Sequence, residues 1–144
     1  MPYAHTAAAF KALLEQVGVS QNAAVDELDV NPRTVRRWCN GEAPVPEGVW
    51  RWLEVLKAEQ DMRVELALDI LEDAAGEAEQ APHEVVLTYW RSQEEYDAHG
   101  REPGDFARVN ALVRATAEAL DAMGVEVRLA YWDQGATSIP GSRY

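Results

Sequence analysis

The sequence predicts an α+β protein, with an all-α N-terminal unit followed by a small β-α-α-β C-terminal domain. Three observations carry that prediction. Apolar residues recur at helical spacing between Phe10 and Val17 and again beyond Pro46. Cap residues and Gly or Pro stops divide the chain before Pro46 into three short helices. Two runs rich in β-formers, Glu84–Trp90 (EVVLTYW) and Val125–Trp132 (VEVRLAYW), enclose two further helical patterns. With 144 residues, 47% of them hydrophobic and 26% charged, the chain has the apolar content of a folded protein.

Each element has a local cause. Thr6 is an N-cap for a helix bearing Phe10, Leu13, Leu14 and Val17, and Gly18 ends it. Ser20 caps a second helix, Gln21 to Leu28. Asn31 followed by Pro32 marks the start of a third, which Gly41 stops after Asn40. Pro46 opens a fourth with Val49, Leu53 and Leu56 on one face. The polar run Lys57–Asp61 interrupts that phase before Met62, Leu66 and Ile70, with Ala67 and Leu71 beside them, so one long helix or two short ones fit equally. Gly76–Pro82 (GEAEQAP) reads as a linker. Ser92 and Glu95 form a capping box for a short helix ending at Gly100. Asp105 caps the next, with Phe106, Val109, Val113, Ala117 and Leu120 on one face and Gly124 at its end. In the last strand, Val125, Val127, Leu129 and Tyr131 are expected to face inward, against Glu126, Arg128, Ala130 and Trp132. The domains expected are 1–75, 82–133 and a mobile tail, 134–144.

Charge is unevenly spread. The net charge of -12 opposes a polyanionic partner in bulk. Residues 1–53 nevertheless carry only -1, residues 54–80 carry -7, and residues 81–144 carry -4. Between Asn31 and Gly41 stand three arginines and no acid. No apolar stretch approaches the roughly 18–20 residues of a membrane span. The N-terminus lacks the features of a secretory signal. The lone Cys39 forms no internal disulfide and suits a reducing compartment, so a cytoplasmic protein without membrane association is expected.

The stretch Ser20–Gly41, SQNAAVDELDVNPRTVRRWCNG, concentrates the chemistry. Val35, Trp38 and Cys39 fall at i, i+3 and i+4 and pin the third helix to a core, which leaves Arg33, Arg36, Arg37 and Asn40 on its outer face. That division suits a helix lying in the DNA major groove, where arginine pairs bidentately with guanine. The competing reading is an ordinary solvated face.

Over those residues, without gaps, the sequence resembles the helix-turn-helix of the Cro/C1-type (XRE) regulators. The resemblance implies that Gln21 and Thr34 touch phosphates, and it makes Gln21, Asn31, Arg33, Thr34, Arg36, Arg37 and Asn40 the DNA-binding set. Val25 stands where the family has a small residue. Asp29 stands where it has Gly, although Asp tolerates the left-handed conformation this turn needs. Over nearly the whole chain, with Tyr96, Gly100, Asp105-Phe106 and the strand ending at Trp132, the sequence is similar to the anti-CRISPR-associated (Aca) and YdiL-like small repressors. That similarity implies a C-terminal half that pairs two subunits and repression of the protein's own operon.

The resulting expectation is a homodimeric, sequence-specific transcriptional repressor bound to a double-stranded operator. The exposed β-formers and aromatics Tyr89, Trp90, Phe106, Tyr131 and Trp132 would supply the dimer interface. The alternative is an antitoxin whose C-terminal half neutralises a partner, with the acidic or C-terminal half as the protein-binding surface. No cofactor is expected. His5, His83 and His99 have no metal-ligand spacing, and Cys39 beside Trp38 reads as a core thiol rather than a nucleophile. No catalytic set is found, so no enzymatic activity is expected. Trp50 and Trp52, two apart, cannot share one helix face, which predicts one of them at an interface or domain boundary.

Overall fold

A computed structural model describes residues 3–77 and 84–134. The expected linker lies largely, and His83 and the tail beyond Gln134 entirely, outside them. The described elements are α1 (Ala7–Val17), α2 (Gln21–Leu28), α3 (Pro32–Asn40), α4 (Glu47–Glu77), β1 (Glu84–Tyr89), α5 (Gln93–His99), α6 (Phe106–Ala122) and β2 (Glu126–Tyr131), followed by a 3-10 turn, Trp132–Gln134. The chain is thus a mixed helix-and-strand protein.

It divides into two compact units, Met1–Gln60 and Asp61–Tyr144. This division differs from the one expected near residue 75. The reason lies in α4, whose residues from Val64 onward do not belong to the first core. Ala67, with Val64, Leu68, Ile70 and Leu71, packs with Val85, Leu87, Leu112, Val113 and Leu120 instead. The polar run at Lys57–Asp61 does not break the helix, because Gln60 is itself buried and donates from Nε2 to the Gln16 carbonyl at 2.8 Å. A polar residue there serves the helix rather than interrupting it.

In the first unit Phe10, Leu13, Val35 and Leu53 are fully buried. Phe10 meets Trp38 and Trp50 edge-on, with ring centroids 6.1 and 5.6 Å apart. Trp50 is buried in this core and Trp52 is half-buried against it. Both tryptophans therefore serve one core, and a spacing of two does not force either of them to an interface.

In the second unit β1 and β2 pair in parallel, Glu84 against Glu126 through Tyr89 against Tyr131. A parallel pair needs a long crossover, which α5 and α6 supply. The inward face predicted for β2 holds only at its start. Val125 and Val127 pack against the core, but Leu129 and Tyr131 are 44% and 38% exposed while Ala130 is buried. At that end the sheet is covered on its other face. Ala130 pairs with the buried Thr88, and neighbouring Trp90 meets Tyr96 edge-on at 5.1 Å. Gly100 is required beneath Tyr96, since a Cβ there would lie 2.6 Å from the Tyr96 carbonyl oxygen.

One buried polar residue organises this unit. Asn110 accepts from the Trp90 backbone N–H at 2.9 Å and donates to the Trp90 carbonyl at 2.8 Å, closing a two-bond clamp between α6 and the end of β1. Asn110→Ala leaves two buried backbone groups unpaired, at about 1–3 kcal/mol each. Asn110→Asp preserves the accepting half but adds a buried charge and is expected to be at least as damaging. Urea unfolding of both variants checks this ranking. A loss below about 0.5 kcal/mol in both would show that the clamp contributes nothing net.

Candidate nucleic-acid interface

The local geometry of α2 and α3 follows from their caps. Ser20 Oγ accepts from the Ala23 N–H at 3.0 Å and starts α2. Asp29 ends it in the left-handed conformation, with φ 51° and ψ 52°. It is the only non-glycine residue with positive φ among the described residues. Asp fills this position at modest strain because its short polar side chain tolerates the region. Asn31 Oδ1 then accepts from the Arg33 N–H at 2.8 Å, Pro32 occupies the first helical position, and Gly41 closes α3 at φ 77°.

Within α3 the two faces separate as the spacing requires. Val35, Trp38 and Cys39 are buried, while Arg33, Arg36, Arg37 and Asn40 are exposed. Arg33, Arg36, Arg37 and Asn40 recur at i+3 and i+4 and so share one outward strip. Thr34 and Gln21 are partly buried, and Gln21 stands at the first helical position of α2. Asn31 is exposed, but its side-chain oxygen is committed to the cap, which leaves only its amide nitrogen for a ligand. Its role is thus structural first.

The electrostatic setting of the strip is unusual for this chain. Arg33, Arg36 and Arg37 have no ion-pair or hydrogen-bond partner among the described residues. Every other described arginine is engaged internally. Arg51 pairs with Glu47, Arg63 with Glu102, Arg91 with Glu95 and Asp133, and Arg128 with Glu84. Arg114 donates to the Tyr89 hydroxyl, and Arg101 and Arg108 also have interactions within the chain. In a protein of net charge -12, three neighbouring uncompensated guanidiniums are available to an external anion. The sequence revealed the arginines but not this contrast, which depends on where the carboxylates fall in space.

The remaining candidates behave differently. His5 stacks on Trp50 at 4.1 Å and meets Glu54 at 3.2 Å, and His99 stacks on Trp132 at 4.7 Å. Among the described residues no group of three or more His, Cys, Asp or Glu is placed to hold a metal ion. No described helix is long and apolar enough to cross a membrane.

Cys39 is buried, and burial pushes its thiol above the ordinary value, with Lys11 pulling down and Glu15 pushing up by lesser amounts. The folded state therefore holds the proton more tightly than the unfolded chain. The associated stability is complete below the unfolded thiol's value of about 8.5 and is lost as pH rises through the higher folded value. Native protein at pH 8 should accordingly react with a thiol reagent far more slowly than the urea-unfolded chain. Equal rates would place the thiol at the surface.

The chain matches no family model and no curated protein.

Proposed function

We propose that α2, its turn and α3 form a helix-turn-helix that lays α3 in the major groove of double-stranded DNA, and that the protein is a sequence-specific repressor acting as a homodimer. One observation carries the reading. The exposed strip of α3 holds three uncompensated arginines and Asn40, on a helix pinned from behind by Val35, Trp38 and Cys39. Arg33 and Arg36 read guanine edges, Asn40 lies at the end of the strip, and Arg37, Thr34 and Gln21 contact the backbone on either side.

A single helix of this size makes few base contacts, so specific affinity needs two half-sites about 34 Å apart or a multiple of that distance. The exposed Leu129, Tyr131 and Trp132, at the end of a strand with one edge unpaired among the described residues, supply apolar surface for pairing two copies. The test is a footprint of the full chain on the DNA upstream of its own gene, with selection from random duplexes beside it. A protected near-palindrome is expected. Binding of equal strength to every duplex would reject sequence-specific recognition.

A further inference from the structure

The outward side of α4 carries a pattern that its own fold does not use. Met62 and Leu66 are 66% and 58% exposed, although both are large apolar residues in mid-helix. The core side of the same segment is Val64, Ala67, Leu68 and Leu71. With about 3.6 residues per turn, positions 62, 66, 69 and 73 follow one line along the helix at the four-three-four spacing of a coiled-coil seam, away from Ala67 and Leu71. That line reads Met62, Leu66, Asp69, Asp73, with Glu65 and Glu72 along one flank and Ile70 and Arg63, which pairs with Glu102, along the other. Asp69 and Asp73 are exposed, as are the two flanking glutamates. None of these four acids has an ion-pair partner among the described residues.

We infer that this seam docks a basic amphipathic helix of a partner protein, with apolar residues opposite Met62 and Leu66 and Lys or Arg opposite Asp69 and Asp73. The arrangement itself argues against a second copy. Two copies side by side in parallel would set Asp69 and Asp73 against their own counterparts. Run antiparallel in full register, they would set Met62 and Leu66 against Asp73 and Asp69, and shifted to pair Met62 with Leu66 they would leave both aspartates without a partner. The first arrangement repels and the second buries carboxylates on apolar surface, so neither direction satisfies the seam. A partner with basic residues at the two acidic positions satisfies it in full, and the aliphatic stems of Lys or Arg extend the apolar contact. The seam shares no residue with α2 or α3, so the DNA reading and the docking proposal can fail separately.

The experiment titrates the full chain into fluorescent synthetic helical peptides. Two carry a Leu, Leu, Lys, Lys seam at four-three-four spacing, one in each chain direction, and a third is a scramble of the same composition. One seam peptide should bind saturably, and the scramble roughly tenfold or more weaker. Asp69→Lys with Asp73→Lys should remove binding, and a peptide with Glu in place of both lysines should restore it. Met62→Gln with Leu66→Gln should weaken it similarly while leaving helix content unchanged. Equal binding of the scramble, or failure of the charge-swapped rescue, overturns the proposal. So does sedimentation showing self-association that vanishes in the Met62→Gln, Leu66→Gln variant, since the occupant is then a second copy.

Discussion

If α3 reads DNA as proposed, Arg33→Ala and Arg36→Ala should each sharply reduce operator selectivity while leaving the melting temperature within a few degrees of the parent. Both side chains are exposed and unpaired, so their removal breaks no internal interaction. Surface substitutions of that kind stay within about 0.5 kcal/mol. The binding cost is larger. A good arginine–guanine pair discriminates by about 1–3 kcal/mol, and the proposed homodimer would lose it at both half-sites, so the operator should weaken roughly 30-fold or more against unchanged random DNA. Gel shifts at one fixed salt concentration measure the ratio. A variant that instead weakens all duplexes alike, and lowers the salt slope by about 0.9 for each phosphate it no longer neutralises, identifies that arginine as a phosphate ligand rather than a base reader. Unchanged operator affinity in both would leave the α3 strip without a role in recognition.

Trp38→Ala should have the opposite profile, with a folded fraction that collapses before any DNA is added. The indole is 5% exposed and fixes the back of α3 against the edge of Phe10. Truncating a buried aromatic costs about 3–5 kcal/mol, a large part of the roughly 5–15 kcal/mol that holds a typical domain folded. Urea unfolding followed by helix circular dichroism should show a sharply lowered midpoint. A loss under about 1 kcal/mol would mean that α3 is held by its caps rather than by its buried face.

The two profiles separate what the sequence discloses from what it withholds. Thr6, Ser20, Asn31, Pro32, Gly41 and Asp105 act within one helical turn, so the starts of α1, α2, α3 and α6 and the end of α3 follow from residue identity alone. The strip of α3 is legible for the same reason, since it needs only a period. Legibility ends where a residue's environment comes from distant parts of the chain. Ala130 is buried beside Thr88 across the sheet, and alternation within β2 carries no trace of that neighbour. Asn110 looks like a surface residue until the Trp90 backbone arrives to use both ends of its amide. The polar phase break at Gln60 likewise leaves one helix and two equally open while the Gln16 carbonyl is unknown.

The parallel pairing of β1 with β2 also orders events in time. In the first unit the three short helices touch near neighbours in sequence, and such pairings form early because little chain entropy is lost in closing them. β1 meets the end of α4 close by in sequence, but it has no strand neighbour there. Its only strand partner among the described residues is made after both α5 and α6, so on a growing or refolding chain the run Val85–Tyr89 stays apolar and unpaired for longest. The second unit should therefore limit the refolding rate, and β1 is the segment through which crowded, half-made chains would stick to one another.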